Sequence, residues 1–207
     1  MKSKNIILLG VVAVILTAII YTFTGSHDQS AYNADIAEVR AERDRYMRTA
    51  SDSPFADDLK NYDGLKYYPV DIRYKITASL EMAKEKQPVI LSTSDGNEQH
   101  YLPYAYATFD FNGYHNRLLI LENMEMGPQR GALFLPFGDE TSATETYGAG
   151  RYLDVVKVPG SNSITLDFNR AYNPYCAYNE HFSCPFPPAS NLLKVAIRAG
   201  EKTYHAN

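Results

Sequence analysis

A chain of 207 residues has the length of one ordinary domain, and the roughly 175 residues left beyond its apolar N-terminal stretch give volume for a real core. Hydrophobic residues at 45% and charged residues at 21% exclude a disordered chain. A net charge of −4 with no basic stripe removes the electrostatic reason to expect nucleic acid as a partner.

Taken from its start, the chain carries Lys2 and Lys4 and then an uncharged run from Ile6 to Phe23. As a helix this run is about 27 Å long, close to the roughly 30 Å hydrocarbon thickness of a bilayer. It leaves through Ile20-Tyr-Thr-Phe-Thr-Gly25, a poor cleavage site. The expectation is one transmembrane helix over residues 1–25, an uncleaved signal anchor with a cytoplasmic N-terminus. The rest of the chain is then exported to the periplasmic or extracellular face of a single-pass membrane protein. A cleaved signal peptide is the alternative.

Residues 26–64 read as a linker and a helical segment. Tyr32, Ile36, Val39, Arg43, Tyr46 and Ala50 recur at spacings of four and three, which marks one helix face. Ser53-Pro54 predicts an N-cap followed by proline at the first helical position, opening a short helix that Gly64 ends.

From residue 65 to 207 the period changes to that of a β domain. Ile72, Tyr74, Ile76, Ala78 and Leu80 alternate with polar residues, as in a strand with one buried face. Further strands are expected at Val89–Ser92, Gln99–Phe111, Arg117–Glu122, Ala132–Phe137, Tyr152–Val158, Ser163–Phe168 and Leu192–Ala199. Asn112-Gly113 is a strong hairpin signal, because both turn positions need positive φ. Short strands joined by turns predict a mainly β fold: an antiparallel β-sandwich or barrel with N-terminal helices packed on its side.

Two segments are too specific in composition to be mere connectors. One runs from Phe134 to Leu153 and is rich in glycine and acidic residues; the other, Leu166 to Pro188, holds both cysteines, several tyrosines and four prolines. Both follow apolar strands, so their tips are expected on one rim. Tyr147, Arg151, Tyr152, Asn169, Tyr172, Asn173 and Tyr178 are the candidate ligand-binding residues there, and seventeen tyrosines with no tryptophan suit a polar-aromatic face. Such a face fits a small polar or carbohydrate-like ligand in a binding or envelope-associated module. The alternative is a hydrolase with Asp139, Glu145 or Asp167 as acid and base, which needs two carboxylates roughly 5–9.5 Å apart.

Cys176 and Cys184 leave three readings open. An exported domain permits a disulfide, worth about 2–3 kcal/mol on the chain-entropy model. Cys176, His181 and Cys184 could instead give three ligands to zinc, with His100, His115 or a carboxylate as the fourth. The pair could also be unbonded structural thiols. No cofactor is otherwise indicated.

The motifs Ser53-Pro-Phe55, Phe134-Leu-Pro-Phe-Gly-Asp139, Thr146-Tyr-Gly-Ala-Gly-Arg-Tyr-Leu-Asp154, Asp167-Phe-Asn-Arg-Ala-Tyr-Asn-Pro-Tyr-Cys-Ala-Tyr178, Cys184-Pro185, Asn191 and Ile197-Arg-Ala-Gly-Glu201 resemble the DUF1684 family of uncharacterised bacterial and archaeal proteins. The resemblance covers about residues 40–201 and implies no particular activity. It implies a glycine after the Thr-Ser of the first loop, where this chain has Ala143; if that turn needs positive φ, Ala143 is strained.

Overall fold

The computed structural model describes residues 28–85, 87–127 and 130–204. Contacts divide the chain into two units, Met1–Val39 and Arg40–Asn207. Of the first, residues 28–39 are described and are helical; the second opens with helical residues 40–49. On this helix, α1 (28–49), Arg43 and Tyr46 are less exposed than Glu42, Arg45 and Arg48, as the spacing predicts, and Met47, outside the predicted face, is buried.

Seven strands follow: β1 (Lys75–Met82), β2 (Val89–Ser92), β3 (Glu98–Phe111), β4 (Tyr114–Asn123), β5 (Leu133–Phe137), β6 (Arg151–Val155) and β7 (Ser163–Asp167). They form one antiparallel sheet in the order β6-β5-β4-β3-β1-β7, with β2 paired to β3. The spine is β3, whose fourteen residues pair with β1, β2 and β4. Its register with β4 shifts between Pro103 and Ala105, where a proline lacking an N–H is tolerated only at such an irregularity. The β3–β4 hairpin turns at Asn112 (φ 49°) and Gly113 (φ 81°), the positive-φ pair that this dipeptide predicts.

The sheet is apolar on both faces at its centre. Leu118 and Ile120 of β4 join the main core with Phe109, Leu135, Phe137, Leu166 and Phe168. Leu119 and Leu121 point the other way, into a smaller cluster with Leu91 and Tyr101. This is the two-sided burial that a continuous apolar run implies. An aromatic cluster apart from the sheet gathers Met47, Phe55, Tyr62 and Tyr204.

Several expectations are corrected. The fold is neither a sandwich nor a closed barrel: the single sheet curls into a half-barrel accompanied by one α-helix among the described residues. The second helix expected from Ser53 to Gly64 is a run of turns ending in a 3-10 turn, Leu59–Asn61. Aromatic packing explains this. In an α-helix residues seven apart are separated by about 10.5 Å along the axis, whereas the rings of Phe55 and Tyr62 meet at 4.6 Å. Ile72–Tyr74 also forms a 3-10 turn, capped by the Asp71 side chain on the Arg73 amide, before β1 begins.

The eighth strand, Leu192–Ala199, is irregular chain without a ladder, with one isolated bridge from Leu192 to Gly138 and bends at Lys194 and Val195. Its alternation is as expected, with Leu193, Val195, Ile197 and Ala199 in the main core. Its carbonyls, however, are met by a side chain: Arg151 donates to Ile197, Ala199 and Glu201.

The single-pass membrane protein expected from the N-terminal run is not upheld. The span predicted at Ile6 to Phe23 lies outside the described residues, and among the described residues no helix is long and apolar enough to cross a membrane. Asp35, Glu38, Arg40, Arg43 and Asp44 put charge on successive turns of α1.

Candidate functional site

The pleat of the sheet and the proline-rich stretch together build an aromatic cleft of about 430 Å³. Residues two apart on a strand share a face, so Tyr152 and Asp154 of β6 both line the cleft while Leu153 between them enters the core. Phe134 of β5 stands opposite Asp154, and Asn123 of β4 opposite Tyr101 of β3. The far wall is Tyr172, Pro174, Tyr175 and the run Phe182 to Pro185, and Arg43 enters from α1.

The rings form a continuous series. Tyr101 stacks on Phe134 at 5.4 Å, Phe134 meets Tyr152 edge-on at 4.6 Å, and Tyr152 meets Tyr172 edge-on at 6.0 Å. The Arg43 guanidinium lies 4.3 Å over the Tyr172 ring, a cation–π contact. The hydroxyls are oriented: Tyr172 donates to Asp154 at 2.8 Å and Tyr152 to the Pro185 carbonyl at 2.6 Å. Burial pushes the Tyr101 hydroxyl up to about 12. Burial, with Cys184 near Tyr152 and Asp154 near Tyr172, raises those two as well. All three remain neutral donors.

Behind the cleft, Arg43 is tied to a fully buried carboxylate. Glu201 lies 3.5 Å from Arg43 Nε and accepts from the Asn173 amide at 3.2 Å, from Asn173 Nδ2 at 3.1 Å and from the Tyr178 hydroxyl. Burial raises the Glu201 carboxyl against the opposing pull of Arg43, Tyr178 and Asn173. Burial alone would lower Arg43, but Glu201 and the hydroxyls of Tyr178, Tyr67 and Tyr172 hold it above its ordinary value.

The expected rim is built elsewhere, as a second cavity of about 390 Å³ where Gly138, Asp139, Ser142 and Gly148 to Gly150 meet Phe186, Pro187 and Leu192. Its carboxylate is already engaged. Asp139 pairs with Arg151 at 2.8 Å, both side chains 1% exposed, and accepts from the Thr141 amide and hydroxyl at 2.7 and 2.6 Å. Glu145 pairs with Arg198 at 2.7 Å and accepts from Tyr68 at 3.1 Å. These partners, Arg198 first, hold it below the usual carboxylate range. Asp167 accepts from the Asn169 amide at 3.2 Å and faces Arg170 at 3.6 Å. Each of the three carboxylates is thus bound to an arginine or a loop amide.

Of the other expected binding residues, only Tyr152 and Tyr172 line the aromatic cleft. Tyr147 donates to Cys176 Sγ at 3.7 Å. Asn169 clasps the backbone of Asp71, accepting its amide at 3.0 Å and donating to its carbonyl at 2.9 Å. Arg151, Asn173 and Tyr178 are structural partners of Asp139 and Glu201. The two cysteines are adjacent free thiols, with the Cys176 amide donating to Cys184 Sγ at 3.1 Å. His181 is exposed. Among the described residues no group of three or more His, Cys, Asp or Glu side chains is arranged to hold a metal, so the Cys176, His181 and Cys184 zinc trio is not assembled.

The residues that sequence reasoning missed are Arg43, Tyr101, Phe134 and Asp154. Arg43 had a signal: an arginine on the predicted core-facing side of a helix calls for a buried anion or an aromatic face. Asp154, two residues from Tyr152 on a predicted strand, had another.

Fold and site together define a mainly β protein whose curled antiparallel sheet carries an aromatic cleft closed by a proline-rich segment. The family model for proteins of unknown function, DUF1684, matches residues 60–202, and the chain belongs to that family. It is also similar to the solution NMR structure of an uncharacterised protein from gene locus rrnAC0354 of Haloarcula marismortui. The two share 34% sequence identity and a TM-score of 0.66 over 86% of this chain and 97% of that one. No curated protein matches the chain.

Proposed function

We propose that the protein is a binding module that holds a small polar ligand with an apolar face, carbohydrate-like in its chemistry, in the cleft walled by Tyr101, Phe134, Tyr152 and Tyr172. The observation that carries this reading is the unit at the cleft's end, where Arg43 covers Tyr172 and the Tyr172 hydroxyl is fixed on Asp154. It sets a cation and a carboxylate at the border of an aromatic surface, the combination that recognises hydroxyl-bearing rings. The cleft volume falls within the roughly 300–1,000 Å³ of small-molecule sites.

The test is an NMR titration of the protein with a panel of mono- and disaccharides at millimolar concentration. Amides of Tyr101, Phe134, Tyr152 and Tyr172 are expected to shift together, and Tyr172→Ala is expected to weaken binding by roughly tenfold, about 1.4 kcal/mol. No shift with any member of the panel, or shifts confined to residues outside the cleft, would overturn the reading.

A further inference from the structure

We infer that Cys176 and Cys184 form a redox-reactive dithiol, in which Cys176 reacts with a hydroperoxide and Cys184 resolves the product as an intramolecular disulfide. The geometry is asymmetric in the way this division of labour requires. Cys176 lies on the 3-10 turn Tyr175–Ala177 and is half-buried, whereas Cys184 is buried in the cleft wall. Their closeness is set by the Cys176 amide, 3.1 Å from Cys184 Sγ, which puts Cys176 Cα within about 4.6 Å of that sulfur given the N–Cα bond length. A χ1 rotation at this separation joins the sulfurs without the backbone displacement that distant Cα atoms would demand.

The surroundings activate one sulfur and not the other. Cys184 and then Tyr147, its hydroxyl 3.7 Å away, favour the Cys176 thiolate against the opposing effect of burial, and the Cys176 thiol is lowered to about 7. The same contact with Cys176, followed by burial, pushes the Cys184 thiol up. At neutral pH the thiolate, which is the attacking species, is therefore favoured on the less buried of the two cysteines.

The chemistry closes with one oxidant. The Cys176 thiolate attacks an oxygen of hydrogen peroxide, the O–O bond breaks, and the leaving hydroxide takes up a proton as water, leaving a sulfenic acid. The Cys184 sulfur then attacks Cys176, the S–O bond breaks, and the Cys184 proton departs with the hydroxyl as a second water. Two thiols lose two electrons, and the peroxide gains them. No ligand in the cleft is needed.

The bridge would also tie two parts of the cleft wall together. Cys184 is fixed to the end of β2, its carbonyl accepting from the Ser94 amide at 2.9 Å and its amide donating to Ser94 Oγ at 3.1 Å, while Phe186 donates to the Ser92 carbonyl at 2.9 Å. The short turn that carries Cys176 also carries Tyr175, which lines the cleft, so the bridge fastens that turn to the wall held by β2.

The experiment exposes reduced full-length protein to one equivalent of hydrogen peroxide, followed by alkylation and peptide mass mapping. A bridge within one chain between residues 176 and 184 is expected, with a mass loss of about 2 Da, reversed by dithiothreitol and accompanied by shifts of the Tyr175 and Phe182 amides. In Cys184→Ser, dimedone is expected to label Cys176; in Cys176→Ser, peroxide consumption should fall by roughly tenfold or more. Wild-type thiols that both stay open to alkylation, bridges between chains, or a dimedone adduct on Cys184 would each overturn the inference. The wild-type mapping decides the matter even where a serine variant fails to fold.

Discussion

Ala143 holds φ at +65° because the loop from Thr141 to Thr146 closes on itself: the amides of Thr144, Glu145 and Thr146 all reach the Thr141 carbonyl, and Ala143 donates back to Thr146. The positive φ costs an L-residue about 1–2 kcal/mol; glycine would escape that strain but give back part of the gain through its greater freedom when unfolded. Ala143→Gly is therefore expected to stabilise the protein by about 1 kcal/mol, seen as a rise of about 2–4 °C in the thermal midpoint; an unchanged or lower midpoint would show that the turn carries no such strain. The resemblance to a family pattern with glycine at this position made the site visible in advance. Arg43 was visible only in part. Its place on a helix face followed from spacing, but nothing local to it announces Glu201, 158 positions further on in the sequence, or the Tyr172 ring it covers.

At the scale of elements, the segment Leu192 to Ala199 shows how a side chain can stand in for a neighbouring strand. Arg151, rigid and forked, donates to the carbonyls of Ile197 and Ala199 while Asp139 neutralises it and accepts from the Ile197 amide at 3.4 Å. Removing one member leaves the other charged in a place where both are 1% exposed. Arg151→Met is expected to cost about 3–5 kcal/mol, measured by urea unfolding, and a loss below 1 kcal/mol would mean that core packing alone seats the segment. Strands with period-two alternation were legible in the sequence to within a few residues, from β2 to β7, because each buries one face or is apolar throughout. The segment's alternation was equally plain. What it could not disclose was the absence of a partner strand, since alternation reports burial and is silent about who satisfies the backbone. The cleft was hidden for a related reason: its ring series is assembled from β3, β5, β6 and the proline-rich segment, and Tyr101 stood outside both segments marked by composition.

For the whole molecule, the carboxylates set the response to acid. Asp44, held by Tyr62 and Arg48 despite burial, Asp71 by Arg73, Asp95 by Thr93 and Ser183, and Glu145 by Arg198 all lie below the usual carboxylate range. For each, stability is fully present above the unfolded value near 4 and is lost as pH falls toward the folded value, because the unfolded chain takes up protons first. Glu201 runs the other way, since burial raises it: its protonation favours the folded state as pH falls. Four lowered groups against one raised predict a net loss of stability between about pH 4 and pH 2. Urea midpoints at pH 7, 4 and 3 test this, and a midpoint that holds or rises at pH 3 would show that Glu201 dominates.

The pairing of Arg43 with Glu201 also has a meaning in time. During synthesis at about 5–20 residues per second, the Arg43 guanidinium exists for about 8–32 seconds before its carboxylate is made. All seven strands, from Lys75 to Asp167, are synthesised before then, Tyr101, Phe134 and Tyr152 among them. The Arg43–Glu201 pair is thus among the last contacts that synthesis makes available, and a chain stalled short of Glu201 lacks the carboxylate that holds the cation of the cleft.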